Sequence, residues 1–240
     1  MKAFLFNITF TSLKKNECNF EKKIMKTILS LIISFNLSIV SCQSKTTNEK
    51  QEAIINSKPI EVPVQNGLAK AYFASGCFWC VEAIYESVNG VNEVINGYAG
   101  GHTEYPTYQL SNTGRTGHAE AVEVSYDPNI VNFSTLLEVY FGSQDITQVN
   151  GQGPDNGSQY RSIIFYQNEN QKEKILNKIK QLTKELNVNI AAEVYPFLKF
   201  WQAEDYHQNY EQLHPNNPYV RNISIPRLRK FKRKYKYLLK

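Results

Sequence analysis

Two thiols three residues apart, Cys77 and Cys80 in the run Gly76-Cys77-Phe78-Trp79-Cys80, are the residues best placed to do chemistry in this sequence. The run lies where an apolar stretch reading as a strand, Ala69–Ala74, gives way to a helical pattern over Cys77–Val88, closed by Asn89-Gly90. At a helix N-terminus the free N–H groups and the helix dipole stabilise a thiolate, so Cys77 is expected to have a lowered pKa, as a neighbouring CxxC thiol also favours. Helical i,i+3 spacing brings two side chains to roughly 5–6 Å, from which a small adjustment closes a disulfide. Cys77 is thus placed as a nucleophile and Cys80 as its resolving thiol. Half of a zinc site or a structural pair would use the same spacing. No second CxxC exists, however, and His102, His118, His207 and His214 have no finger-like spacing to this one. Phe78 and Trp79 either wall an aromatic pocket for an apolar substrate group or belong to the core.

A second reactive group lies in Gly117-His118-Ala119-Glu120-Ala121-Val122-Glu123-Val124. With a strand period of two, Glu120 shares a face with Val122, Val124 and Tyr126, while Glu123 points the other way. A carboxyl on an apolar face has a raised pKa and suits a general acid; a glutamate at an exposed strand end would not.

The elements that must position these groups alternate along the chain. Strands are expected at Ala69–Ala74, Val91–Tyr98, Glu120–Tyr126 and Tyr160–Tyr166 and over 190–195. Helices are expected over Cys77–Val88, over Ser134–Gly142 with Ser134 or Thr135 as cap, and near Ala203–Leu213. A further helix carries Ile175, Ile179, Leu182 and Leu186 on one stripe. Residues 100–119 and 142–159 read as loops. Strands and helices mixed without strict βαβ spacing indicate an α+β fold of two layers.

The chain of 240 residues has a formal net charge of +5, but the charge is unevenly placed. Residues 1–41 contribute +4 and residues 221–240 contribute +9, which leaves −8 on residues 42–220. An acidic body argues against a nucleic-acid-binding face. The 13-residue apolar run Ile28–Val40 after Lys26 is too short to span a bilayer and has the length of a signal-peptide core. It ends in Ile39-Val40-Ser41-Cys42, which resembles the lipobox of bacterial lipoproteins. That resemblance implies acylation of Cys42, removal of residues 1–41, and a membrane-anchored place in the cell envelope. Met25 stands where such a signal ordinarily starts. Residues 42–66 are polar and aperiodic and read as a flexible tether, and the basic end 221–240 as a solvated, partly disordered tail.

Residues about 69–219 resemble an A-type peptide-methionine sulfoxide reductase. The blocks that carry the resemblance are GCFWC (76–80), GYAGG (97–101), YPTY (105–108), TGHAEAVEVSYDP (116–128), QGPDNGSQYRS (152–162) and FWQAEDYHQNY (200–210). Carried over by position, the family implies that Cys77 attacks the sulfoxide sulfur, that Phe78 and Trp79 hold the substrate methyl, and that Glu120 protonates the sulfoxide oxygen. Tyr108 and Tyr160 would assist at the oxygen, and Asp155 would shape the pocket. The resemblance also implies a two-layer sandwich with a ferredoxin-like core, a catalytic domain over 67–220, recycling by thioredoxin or an envelope counterpart, a monomeric chain, and no metal or organic cofactor. The chain departs from the common pattern in two ways. Many members have Gly at the position of Cys80 and keep resolving cysteines near the C-terminus, whereas no cysteine follows Cys80 here. Gln144, Ile146 and Gly151 also stand where His, Pro and Arg are more usual. A Cys77–Cys80 disulfide is therefore expected as the recycling intermediate. Two other readings of the same features are a thioredoxin-like thiol–disulfide oxidoreductase and a non-enzymatic anchored binding lipoprotein.

Overall fold

Alternating apolar residues build the sheet in a computed structural model that describes residues 49–240. The leader, Cys42 and the first part of the expected tether lie outside the described residues. The strands are β1 (Ala69–Ala74), β2 (Val91–Ala99), β3 (Ala119–Tyr126), β4 (Gly151–Gln152), β5 (Asp155–Asn156), β6 (Ile163–Tyr166), β7 (Glu193–Pro196) and β8 (Phe200–Gln202). The helices are α1 (Phe78–Glu86), α2 (Tyr108–Ser111), α3 (Phe133–Gly142), α4 (Glu169–Leu186), α5 (Tyr210–Leu213) and α6 (Ile225–Lys234). No helix of the described residues is long and apolar enough to cross a membrane.

Six strands form one sheet in the order β7-β6-β1-β3-β2-β8. Its central part, β1-α1-β2-β3-α3-β6 in the spatial order β6-β1-β3-β2, is the ferredoxin-like βαββαβ arrangement with antiparallel neighbours. α4 then carries the chain back to β7, which pairs parallel with β6, while β8 adds an antiparallel edge beside β2. That edge needs Gly97, because a Cβ there would overlap the Trp201 carbonyl and the Phe200 ring. Phe73, Val122 and Val124 face α1, α3 and α6 in the larger core, and Tyr72, Ala121, Ile163 and Phe165 line a smaller core on the opposite face. Glu120 stands on the first of these faces. Glu123 stands on the second, where it accepts hydrogen bonds from Lys70 Nζ at 2.6 Å and Tyr72 Oη at 2.8 Å.

Several sequence expectations differ from the structure. Residues 50–55 are helical, and the segment after them docks on the smaller core: Ile60 N–H donates to Phe197 O (2.7 Å) and Val62 N–H to Gln167 Oε1 (2.8 Å). The half-buried Val62 side chain and the captured N–H groups override the polar composition that suggested a tether. The stretch near Ala203–Leu213 is not one helix; it runs from β8 through the 3₁₀ turn Asp205–His207 to α5, because Ala203 N–H is held by Asn96 O at the sheet edge. The short helix α2 falls in a stretch expected to be loop, and the expected helix over Ser134–Gly142 starts at Phe133, because Asn132, not Ser134 or Thr135, caps it by accepting the Thr135 N–H.

A further difference is the C-terminus. Far from being disordered, Val220–Ser224 forms a π-helical turn that continues into α6, with Val220, Ser224, Phe231 and Tyr235 buried and the lysines and arginines outward except Arg227, which is half-buried. Those buried positions, with Leu228 between them, recur at spacings of four, four, three and four, so one face is apolar beneath a heavily basic composition. Gly142 at the end of α3 makes room for the Tyr235 ring. Because Phe231 is 2% exposed, Phe231→Ala should lower the unfolding free energy by about 3–5 kcal/mol. Denaturant unfolding checks this, and a loss below about 1 kcal/mol would mean that the basic end does not pack.

Candidate functional site

The turn between β1 and α1 sets the thiols. Gly76 adopts φ +80°, and a Cβ there would come within 2.5 Å of the Gln152 Cβ, so both conformation and space favour glycine. Cys77 is the residue before α1 proper, with extended backbone (φ −56°, ψ 123°) and a side chain that caps nothing. It is buried at 6% exposure, and Cys80, one helical turn on, at 1%. Arg227 of α6 clamps the turn from outside: Nη1 and Nη2 donate to Ser75 O (3.1 Å) and Ser75 Oγ (3.0 Å), and Nε to Ser143 O (2.9 Å).

Glu120 comes to the same place from β3. Its Oε2 accepts the Phe78 N–H at 3.1 Å, so the first free amide of α1 serves the carboxyl. Burial raises the Glu120 pKa to about 8, with the Phe78 N–H opposing and nearby Asp155 and Cys80 adding to the rise. A buried, protonatable carboxyl thus lies beside the residue that follows Cys77.

The expected lowering of the Cys77 pKa is not what the resting geometry provides. Burial pushes the Cys77 thiol up, reinforced by its hydrogen bond with Cys80, while that same bond from Cys77 brings Cys80 down to about 6. The helix-terminal amide expected to stabilise the Cys77 thiolate is spent on Glu120. The surroundings thus favour the protonated form of Cys77 and the charged form of Cys80, the latter with Arg227, Ser224 and Tyr219 beside it.

Aromatic residues enclose the dithiol. Trp79 stacks on Tyr210 at 3.7 Å between centroids and donates its indole N–H to His207 Nδ1 at 3.1 Å. His207 is 1% exposed and touches the rings of Phe78, Tyr108 and Tyr206 as well. Burial lowers its pKa, which keeps Nδ1 free to accept. Glu204 ties the wall together, accepting from Tyr98 Oη (2.9 Å) and Tyr108 N–H (3.0 Å). The Tyr108 and Tyr160 hydroxyls lie near each other and within electrostatic reach of Glu120 and Cys77. Among the described residues no three His, Cys, Asp or Glu side chains gather as a metal shell.

On the other side of Cys80 lies a cavity of about 360 Å³ between the 142–155 loop and the C-terminal segment, lined by Cys80, Gln152, Asp155, Tyr219, Arg227 and Lys230. Tyr219 Oη donates to Asp155 Oδ2 at 2.5 Å and stands 3.7 Å from Cys80 Sγ. Cys77, Cys80, Glu120, Phe78 and Trp79 therefore converge, with Tyr108, Tyr160 and Asp155 around them. His207, Glu204, Tyr219 and Arg227 were not singled out in the sequence. Their roles come from long-range packing of β8 and the C-terminal segment, and only the block FWQAEDYHQNY marked the place of the first two.

The chain matches the family model "Peptide methionine sulfoxide reductase" over residues 69–238. The peptide methionine sulfoxide reductase MsrA of Nautilia profundicola is 48% identical over 164 residues, which cover 68% of this chain and 94% of that protein. That of Acinetobacter baumannii is 44% identical over 173 residues, covering 72% and 99%. Among solved structures, the reduced form of Mxr1 from Saccharomyces cerevisiae superposes with a TM-score of 0.60 at 29% identity over 65% of this chain and 91% of that one. Methionine sulfoxide reductase A of Corynebacterium diphtheriae does so at 0.57 and 33% over 67% and 83%. Neither a thioredoxin-like oxidoreductase nor a non-enzymatic binding lipoprotein accounts for these matches. On sequence and fold together, this oxidoreductase belongs to the peptide methionine sulfoxide reductase family.

Proposed function

We propose that the reaction is reduction of the S epimer of methionine sulfoxide, in proteins and as the free amino acid, with Cys77 as nucleophile, Glu120 as acid and Cys80 as resolving thiol. The observation that carries this reading is the Phe78 N–H to Glu120 hydrogen bond, which holds a buried acid against the nucleophile's own turn. Cys77 passes its proton to Cys80 along their hydrogen bond as its sulfur adds to the sulfoxide sulfur. Glu120 gives its proton to the oxygen, whose rising basicity draws it. The oxygen then moves to Cys77: a Cys77 S–O bond forms as the bond between the two sulfurs and the S–O bond of the substrate break, the substrate sulfur is reduced by two electrons and leaves as methionine, and Cys77 is left oxidised as a sulfenic acid.

Phe78 and Trp79 form the apolar wall for the methyl group, and their packing on His207 and Tyr210 fixes the wall's angle. The Tyr108 and Tyr160 hydroxyls assist Glu120 at the oxygen, and Asp155 borders the site. Cys80 next attacks the Cys77 sulfur, and a dithiol protein of the thioredoxin class or an envelope counterpart reduces the resulting disulfide. The lipobox-like Cys42 supports anchoring in a bacterial envelope, with the enzyme working as a monomer outside the cytoplasm to repair oxidised proteins.

Glu120 acts while protonated, so the rate of sulfoxide reduction should be sustained below pH 8 and fall as pH rises through about 8. Glu120→Gln should lower that rate by about 10²-fold or more and remove the alkaline fall; a retained rate excludes Glu120 as the acid. Cys80→Ser should release one equivalent of methionine per enzyme and then stop, and continued thioredoxin-dependent cycling would refute a resolving role for Cys80. With separated epimers, the enzyme should turn over S and not R, and Cys77→Ser should do neither. Activity on R alone, or survival of activity in Cys77→Ser, would overturn the reading.

A further inference from the structure

Once Cys77 has become a sulfenic acid it has no thiol proton, and the largest influence that favours the Cys80 thiolate at rest has gone. Cys80 has by then received the proton of Cys77, and it must lose that proton before it can attack. The groups around it decide where the proton goes. Cys80 is 1% exposed, so only a small edge of it meets the cavity it borders, and its proton leaves most readily through a hydrogen-bonded neighbour. Glu120 is bonded to the Phe78 N–H and is needed for the departing oxygen.

Tyr219 remains. A phenol has one proton and two lone pairs, and the Tyr219 proton is committed to Asp155 Oδ2 at 2.5 Å. Once Cys80 carries the proton taken from Cys77, its thiol can donate across the 3.7 Å contact to the Tyr219 oxygen, whose own proton is already engaged. The bonds run in one direction, from sulfur through phenol to carboxylate. Asp155 borders the cavity behind Cys80, where its proton exchanges with solvent. We propose that Tyr219 and Asp155 are the proton relay that makes Cys80 the resolving nucleophile: Cys80 gives its proton to Tyr219 as Tyr219 gives its own to Asp155. The proposal rests on the assignment of Cys77 and Cys80 made above.

The step balances as follows. The Cys80 thiolate forms a bond to the Cys77 sulfur and the Cys77 S–O bond breaks. Cys80 is oxidised and the Cys77 sulfenic sulfur is reduced to the disulfide level. The hydroxyl leaves as water with a proton from Glu120, which has been reprotonated from solvent, and Asp155 releases the Cys80 proton to solvent. The charged and titratable groups facing the relay are Glu120 from β3, Cys77 before α1, Tyr160 from the 3₁₀ turn Ser158–Tyr160, and Arg227 and Lys230 from α6. Of these, Arg227 also stabilises the Cys80 thiolate by charge.

The test is a rapid-quench single turnover of the full chain with methionine sulfoxide. Methionine release measures sulfoxide reduction, and mass spectrometry of alkylated samples follows the Cys77 sulfenic acid and the Cys77–Cys80 disulfide. Tyr219→Phe should slow disulfide formation at least tenfold at pH 7 relative to methionine release, and the deficit should shrink as pH rises and solvent hydroxide replaces the relay. Asp155→Asn keeps the shape without the base and should show the same pH-rescued deficit, which tests the proposal even where Tyr219→Phe does not fold. An unchanged disulfide rate, or a deficit of the same size at every pH, would overturn the relay. If wild-type enzyme releases methionine without ever forming a Cys77 sulfenic acid, the underlying assignment fails instead.

Discussion

A carboxyl group taken out of water must either lose its charge or be given a hydrogen-bond donor, and the arrangement of this enzyme follows from how Glu120 meets that constraint. Its donor is the Phe78 amide, which helix geometry leaves unpaired at the start of α1. One bond therefore fixes β3 against α1, sets the distance between acid and nucleophile, and limits how far the carboxyl's pKa can rise. It also removes from Cys77 the amide that would otherwise have stabilised its thiolate. The nucleophile must then rely on its neighbour, which is why the two thiols behave as a pair sharing a proton.

The rest of the fold holds that junction in place. β2 and β8 put Tyr98, Glu204 and His207 behind Phe78 and Trp79, so the aromatic wall is supported by buried hydrogen bonds as well as packing. On the opposite side Arg227 reaches from α6 to the backbone of the turn itself. The aromatic wall and the cavity beside Cys80 thus occupy different sides of one short helix: the first is supported by the sheet and the segment after β8, the second by the 142–155 loop and the C-terminal segment.

Much of this could be read from local pattern. The period of two placed Glu120 and Glu123 on opposite faces, and the four-three-four spacing from Ile175 located α4. The strand-to-helix junction at Gly76 was visible because glycine and a change of period coincide there. Composition misled where few apolar residues carry the packing. Phe231 and Tyr235 lie among nine basic residues, and Val62 lies in a polar segment, yet each side chain finds a core. The aromatic wall was half legible. Phe78 and Trp79 follow from their place between the thiols, but His207 gains its importance from the edge strand β8, whose three residues carry no period to detect. The thiol pKa values were the least accessible, since they depend on which donor reaches which acceptor across the sheet.

The end of the chain has a consequence for how the protein is made. Asn89 N–H donates to Leu238 O at 2.7 Å, Lys240 N–H donates to Ser87 O at 3.1 Å, and Val88 and Leu239 form a bridge, so the last residues close over the far end of α1. The helix that begins at the thiols is thereby fastened at its tail by residues some 160 positions further along the sequence. A ribosome makes the two cysteines well before residues 238–240, so α1 lacks this fastening while the intervening chain is still being added.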